Sequence, residues 1–471
     1  MFETDQSFRD VFDLLERART RQTADPVAPY TTAEDLESKI DFALRPDGVS
    51  PSAVIALLDE VADATPRTAS PRFLNQLFAG RDDSAIAAEL LTVLLNTSMY
   101  TYKAAGPNAI IERELTRHMA SLVGFDQGEG VFAPGGSMSN FTAIVIARNE
   151  ANESVRAAGH DGVPMVIYTS EVSHYSITKG AAMAGIGRDN VRQIPCDDCG
   201  RMIPSQLRRA IEEDLDAGRR PCMINATAGT TVLGSFDPIR EISAIATEFN
   251  VWLHVDGALG GSMILSDAHR HLVDGVECAD SVTWDAHKLM TVPLVCSVIL
   301  LRNPGMLVKH FNEDASYLFQ SDDESLNFGT RALQCGRRND ALKLWALWKR
   351  HGDRGLGERI ERLVDMARYA ADVVRDDPNM VLTKPPESVN VCFEFKGVPS
   401  PALCEALRQQ GRLIVGYGDV EGRDVIRIPF VNPDLTNAQI DEAFDEIRLV
   451  GQQLRDDDSA AASVPVNESC C

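Results

Sequence analysis

The sequence predicts an α/β protein built around a mostly parallel sheet that is covered on both faces. Two observations predict it. Between about residues 96 and 350, short apolar runs alternate with amphipathic helical stretches. The runs are nearly continuous in apolar character and lack the polar alternation of a half-exposed sheet.

The strands read as "PMVIYTS" (164–170), "VRQIPC" (191–196), "PCMINAT" (221–227), "VWLHVDGA" (251–258), "DSVTWDA" (280–286) and "VCSVILL" (295–301). Helices such as "IPSQLRRAIEEDLDAG" (203–218) and "DPIREISAIATEFN" (237–250) lie between them. Ahead of this region, "SFRDVFDLLERAR" (7–19), "DLESKIDFAL" (35–44) and "PSAVIALLDEVADA" (51–64) place apolar residues at helical spacing, separated by Pro- and Thr-rich breaks. Behind it, "NDALKLWALWKRHG" (339–352) and "ERIERLVDMARYAADVVRDD" (358–377) are helical. They precede a mixed pattern of "VNVCFEFKG", "PALCEALRQQG", "LIVGYG", "DVIRIPFVNP" and "AQIDEAFDEIRLVGQQL". The expected organisation is a helical segment over 1–95, a large domain over 96–350, a small α+β domain over 351–456 and a disordered polar tail over 457–471.

At 471 residues, with 44% hydrophobic and 24% charged residues, the chain has the balance of a soluble globular protein. Its net charge of −23, from 69 acidic and 46 basic residues, argues against nucleic acid and anionic membrane as partners. The start "MFETDQSFRD" lacks a signal peptide's basic and apolar regions, and no apolar run is long enough to span a bilayer. A cytoplasmic location is expected, with the 10 cysteines as reduced thiols. "CDDC" at 196–199 has zinc-like spacing but no answering pair, so no metal is expected. Cys470 and Cys471 form a thiol pair that does not fit the C-a-a-X lipidation pattern.

Chemistry-bearing residues cluster where strands end. In "SVTWDAHKLM" (281–290), Lys288 follows a buried-looking strand and is flanked by apolar residues. A lysine without a partner is rarely buried, so its amine either reaches solvent or is held in a pocket for chemistry. "HVDGALGG" (254–261) puts Asp256 at the end of a very apolar strand, where a carboxylate needs a cation or a hydrogen-bond donor. "TSEVSHYSITKG" (169–180) places His174 between a strand and a helix. "FAPGGSMSN" (132–140) is a Gly-rich turn into a helix, able to offer backbone N–H groups to an anion. Ligands of open parallel sheets sit beyond the carboxyl ends of the strands. A strand-end lysine, a buried acid, a flat imidazole and an anion cradle together match pyridoxal 5′-phosphate, which needs an amine for its aldehyde, an acid for its ring nitrogen and a site for its phosphate.

With those motifs in place, the chain resembles the pyridoxal-phosphate group II decarboxylases, in their glutamate and cysteine-sulfinate branch. The similarity runs through "SPRFLNQLFAG" (70–80), "LLNTSMYTY" (94–102), "FAPGGSMSN", "YTSEVSHYSITKGAA", "NATAGTTVLGSFDPI" (225–239), "WLHVDGALGG", "HRHLVDGVECADSVTWDAHKLM" (269–290), "ASYLFQ" (315–320), "LQCGRRND" (333–340) and "VNVCFEF" (389–395). The resemblance implies a type I aminotransferase-like fold, with a mostly parallel seven-stranded sheet in the large domain. It also implies a homodimer, with the 1–95 segment dimer-forming and active sites at the subunit interface. Lys288 would be the Schiff-base lysine and Asp256 the partner of the ring nitrogen. His174 would stack on the ring, with Ala258 against its other face. Gly136 and Ser137 would hold the phosphate, while Thr227 and His287 would complete the cofactor shell. Arg427 would take the substrate's α-carboxylate, Gln76 would line the substrate pocket, and Tyr317 would protonate Cα.

The family's Asn-Pro before the His-Lys pair is here Asp285 and Ala286, and a carboxylate beside a phosphate dianion repels it. Gly257 and Leu259 replace an Ala and a Trp. Phe78 in "NQLFA" and Ser98 in "NTS" resemble the cysteine-sulfinate type rather than the "NQLST" and "NTN" of glutamate-type members. The implied reaction is decarboxylation of a short acidic amino acid, cysteine sulfinate to hypotaurine or aspartate to β-alanine, with glutamate to GABA as the alternative. A pyridoxal-phosphate lyase or aldolase using the same residues on another bond, and a non-catalytic protein of the same fold, are the other classes left open.

Overall fold

The computed structural model describes residues 5–24, 26–28, 31–313 and 324–462. In chain order its strands are β1 (Phe73–Leu74), β2 (Glu129–Ala133), β3 (Met165–Ser170), β4 (Val191–Ile194), β5 (Arg220–Thr227), β6 (Trp252–Gly257) and β7 (Ser281–Asp285). These are followed by β8 (Ser297–Leu301), β9 (Met380–Leu382), β10 (Asn390–Phe395), β11 (Ile414–Val420) and β12 (Arg423–Pro429). They form two sheets in two compact units, one of Met1–Gly80, Met366–Pro385 and Asn390–Cys471, the other of Arg81–Asp365 and Pro386–Val389.

The larger unit contains the predicted sheet, in the order β2-β8-β7-β6-β5-β3-β4. The pairs among β3, β4, β5, β6 and β7 are all parallel, whereas β8 runs antiparallel to both β7 and β2. The chain thus has the α/β architecture and seven-stranded, mostly parallel sheet expected of it. β3, β7 and β8 are buried at every residue, as their unbroken apolar character demands. The helix Gly136–Ala151 supplies Ala143 and Ile146 to one buried cluster and Ile144 and Ala147 to another. Burying each isoleucine contributes roughly 1.5–3 kcal/mol.

Register brings the chemically interesting strand ends to one edge of this sheet. Thr227 lies opposite Asp256, and Asp256 opposite Thr283. Asp285 and Ala133 both lie opposite Ser297. The Gly-rich turn follows Ala133 directly, so it opens at the same edge as Asp256 and Asp285.

The smaller unit carries the sheet β1-β11-β12-β10-β9, antiparallel except for β1 against β11. The helix Ser400–Gln409 packs on β11 and β12. The N-terminal helices Asp5–Arg21 and Pro51–Ala64 pack together in this unit, with Arg21 Nη1 2.5 Å from Asp59 Oδ1.

Unit boundaries fall at 80/81 and 365/366 rather than at 95 and 350. Two residues of β1 tie the segment before Gly80 to the C-terminal sheet, a pairing too short to leave a periodic signal. The helix expected over 35–44 covers only Ala33–Lys39. Beyond it, Asp41 accepts the Ala43 N–H and pairs with Arg45, a local side-chain bond that competes with the helix. The C-terminal helix Asn437–Ala462 continues into the stretch expected to be a disordered tail, where alanines favour it. Cys470 and Cys471 lie outside the described residues. No described helix is long and apolar enough to cross a membrane.

The turn after β6 depends on close backbone approach. A Cβ at Gly260 would stand 2.4 Å from the Phe236 ring and 2.6 Å from the Ala228 carbonyl oxygen, which accepts the Gly260 N–H. Overpacking of this kind typically costs about 1–3 kcal/mol. Gly260→Ala should therefore lower the thermal midpoint of the apoprotein, and an unchanged midpoint would show that the turn can give way.

Candidate active site

Lys288 lies one turn beyond β7, its side chain 20% exposed, with Nζ 3.3 Å from Asp285 Oδ2. The structure answers the question the sequence posed: the amine does not simply reach solvent but is largely enclosed beside a carboxylate. His287 faces the same carboxylate, with Nε2 3.7 Å from Asp285 Oδ2, while its Nδ1 lies 3.1 Å from the Cys296 backbone nitrogen. Burial holds the His287 pKa below the ordinary histidine value, against the opposing pull of Asp285.

Asp256, at the end of β6, is buried and fully engaged. Its Oδ1 accepts the Ala258 N–H at 3.1 Å, and its Oδ2 accepts from Asn140 Nδ2 at 2.8 Å. Asn140 belongs to a chain of donors all pointing the same way. Trp252 Nε1 donates to Ser281 Oγ (2.9 Å), and the Ser281 hydroxyl donates to His254 Nδ1 (2.8 Å). His254 Nε2–H then donates to Asn140 Oδ1 (3.1 Å). This direction requires a neutral His254 protonated on Nε2. Full burial lowers its pKa to about 4, outweighing the Asp256 charge, so the imidazole is neutral at physiological pH.

The Gly-rich turn lies beside Asp285. Gly135 has φ +103°, a conformation favouring glycine, and its carbonyl accepts the Met138 and Ser139 N–H groups. The Gly136 and Ser137 N–H groups are thus first-turn donors, which an α-helix does not use internally. Against this helix start lies the Asp285 carboxylate. A Cβ at Gly136 would be 2.5 Å from Asp285 Oδ2, so only glycine admits the carboxylate here.

His174 is half-buried before the helix Ser176–Met183, and its Nδ1 accepts the Ser176 N–H at 3.3 Å. Burial lowers its pKa, with Asp256 opposing and Lys288 reinforcing that shift. Thr227, opposite Asp256 in the next strand, has a buried hydroxyl without a hydrogen-bond partner. Its backbone N–H donates to Asp237 Oδ2 at 2.7 Å, and the Met202 N–H donates to the other oxygen at the same distance. Burial pushes the Asp237 pKa up to about 6.

One unit therefore brings together Lys288, Asp256, His174, Thr227, Ala258, His287, Gly136 and Ser137. Ser98 lies in the same unit, and its Oγ accepts the Arg337 N–H at 3.1 Å. Gln76, Phe78 and Arg427 belong to the other unit. There Arg427, buried on β12, donates from Nη2 to the Asn75 carbonyl, next to exposed Gln76. Phe78 packs on Phe73 with ring centroids 6.1 Å apart. Tyr317 lies outside the described residues.

Asn140, His254 and Asp237 escaped the sequence reading. Two of them carried a signal. Asn140 follows Gly136 by four residues, one helical turn, and His254 precedes Asp256 by two, on the same strand face.

A strand-end amine, an anchored strand-end carboxylate and a helix start open to an anion, all on one edge of this sheet, define a pyridoxal-phosphate enzyme of fold type I. The pyridoxal-dependent decarboxylase conserved domain matches residues 59–396. The chain is 39% identical over 472 residues to mouse cysteine sulfinic acid decarboxylase, covering 95% of this chain and 96% of the relative. It is 35% identical over 451 residues to human acidic amino acid decarboxylase GADL1, covering 91% and 87%. The crystal structure of mouse CSAD superposes with a TM-score of 0.91 at 37% identity, covering 95% of this chain and 99% of that one. That of Oryza sativa TDC with PLP and tryptamine gives 0.88 at 25%, covering 96% and 98%. The chain belongs to the pyridoxal-dependent decarboxylase family and is a pyridoxal 5′-phosphate-dependent amino-acid decarboxylase.

His254 makes the donor chain testable by pH. Its folded pKa, about 4, lies below the ordinary 6.5, so the unfolded chain takes up this proton first as pH falls. The associated stability is complete above about 6.5 and is lost as pH falls toward 4, on the order of 3 kcal/mol in all. His254→Gln keeps a donor for Asn140 and removes the titration. The urea midpoint of this variant should fall less steeply than the parent's between pH 7 and 4.5, and parallel profiles would count against the assignment.

Proposed function

We propose that this decarboxylase acts on a short acidic amino acid, cysteine sulfinate or aspartate ahead of glutamate, as a cytoplasmic homodimer. The observation that carries the substrate class is the 39% identity, over 95% of the chain, to a relative named for cysteine sulfinic acid. The relative named for acidic amino acids supports the same class.

The residues at the strand edge suit the cofactor. Lys288 offers the amine for its aldehyde. The first-turn N–H groups of Gly136 and Ser137 offer donors to its phosphate, and the unpartnered Thr227 hydroxyl leaves a hydrogen bond to be made beside Asp256. When bound, the cofactor supplies an electron sink for the pair left behind as carbon dioxide departs.

The protein's part is positioning and proton control. Asp256, its lone pairs directed by Asn140 and the Ala258 N–H, keeps a proton on the ring nitrogen, because an anionic neighbour favours the cationic form. His174, its pKa lowered by burial, would stack on the ring opposite Ala258, and His287 would back the lysine. Arg427 would take the substrate's α-carboxylate and Tyr317 would return the proton to Cα, with substrate preference assigned to Gln76, Phe78 and Ser98. The dimer is supported by the helix Asp83–Leu95, on which Leu90, Leu91, Val93, Leu94 and Leu95 are 43 to 58% exposed.

Lys288→Ala should abolish both turnover and retention of the cofactor after borohydride reduction. Retention in that variant would mean that another amine carries it.

Substrate preference is decided by kcat/KM for cysteine sulfinate, aspartate and glutamate. Phe78 fills space that a longer side chain needs, and one methylene in a shaped pocket is typically worth roughly 10–200-fold. The parent enzyme should prefer the two shorter acids, and Phe78→Ser should move the ratio toward glutamate. A parent that prefers glutamate would defeat the assignment.

A further inference from the structure

The mechanism above leaves Asp285 without a task, although its carboxylate is among the most enclosed charges of the site. Its side chain is 2% exposed, Oδ2 is 3.3 Å from Lys288 Nζ and 3.7 Å from His287 Nε2, and Oδ1 has no hydrogen-bond partner. Both oxygens abut Gly136, at 2.5 and 3.0 Å from the position its Cβ would take. An unpartnered, buried anionic oxygen therefore sits against a 16-residue helix's N-terminus, where the helix dipole favours negative charge.

We propose that Asp285 is a built-in competitor for the cofactor phosphate: in the apoenzyme it occupies the helix start as an internal anion and holds Lys288 as its counter-ion. This rests on the reading that Gly136 and Ser137 cradle the phosphate. Two consequences follow from charge alone. A phosphate arriving at the cradle meets a fixed like charge a few ångströms away, in a setting where water screens poorly. The same carboxylate lies 3.3 Å from Lys288 Nζ, so the amine that would take the aldehyde is engaged by Asp285 until the two separate. Asp285 thus opposes cofactor capture twice, once at the phosphate and once at the amine. Replacing the carboxylate by an amide of the same shape removes both effects and leaves the glycine contact intact.

The test separates the phosphate effect from the lysine effect by using probes that have no aldehyde. Equilibrium dissociation constants of pyridoxine 5′-phosphate and of pyridoxine are measured by fluorescence on the full-length apoenzyme, for the parent, Asp285→Asn and Asp285→Ser. Removing one like charge at this range should tighten pyridoxine 5′-phosphate by about tenfold or more. Pyridoxine should bind alike in all three proteins, and the serine variant guards against an amide-specific contact or a folding failure in the asparagine variant. Unchanged or weaker binding of pyridoxine 5′-phosphate in both variants would overturn the inference. Equal affinity for the two probes in every protein would instead overturn the cradle reading, and the competition with it.

Discussion

A carboxylate at the end of an apolar strand costs several kcal/mol unless donors reach it, and the way Asp256 is supplied with donors organises the rest of the site. The donors do not come from solvent. They come through Trp252, Ser281, His254 and Asn140, each donating to the next. The chain begins at the amino ends of β6 and β7 and finishes at the carboxyl end of β6, crossing to the helix Gly136–Ala151 on the way. Its last member fixes that helix to Asp256. One hydrogen bond therefore ties the start of that helix to the acid. Because Ser281, His254 and Asn140 are all buried, His254 has to remain neutral, and its depressed pKa is the thermodynamic mark of that requirement.

Much of this was legible in the sequence because the relevant features are local or periodic. Six of the seven strands of the larger sheet could be read from their apolar runs. β2 could not, since "EGVFA" is a five-residue stretch whose place is defined by pairing with the distant β8. β1 has two residues and exists only through β11. At the site, Lys288, Asp256 and the Gly-rich turn stood out because each breaks the pattern around it. Asn140 did not, as a polar residue on an early helical turn is ordinary until a partner 116 residues away gives it meaning. Asp237 was hidden likewise, because its value lies in the backbone N–H groups of Thr227 and Met202, which no side-chain pattern reports.

Gly257 stands where the family has an alanine, and its surroundings give that change a reason. A Cβ there would stand 2.8 Å from the Thr283 carbonyl oxygen and 3.2 Å from Gly261 Cα. Gly257, Gly260 and Gly261 together let the segment after Asp256 fold back tightly, with Trp284 beneath Gly261 and its Nε1 donating to Ser262. The Ala258 N–H that reaches Asp256 Oδ1 belongs to this segment. Close packing and the acid's orientation are thus the same local solution.

The two strand-end carboxylates are treated in opposite ways, and the contrast bears on how the site divides labour. Asp256 has both oxygens committed to donors on rigid elements, one on a helix and one on the adjoining turn. Its carboxylate is therefore held in one orientation. Asp285 has one oxygen near an ammonium and one without a partner, although it is as deeply enclosed. A group held in that state keeps its interactions changeable, because its closest cation among the described residues is the flexible side chain of Lys288. The fold commits fixed donors to Asp256 and withholds them from the carboxylate beside Lys288. That asymmetry follows from position: β6 is flanked by parallel strands and backed by the helix Gly136–Ala151, whereas β7 ends against the start of antiparallel β8, where Ser297 and Gly136 are its neighbours.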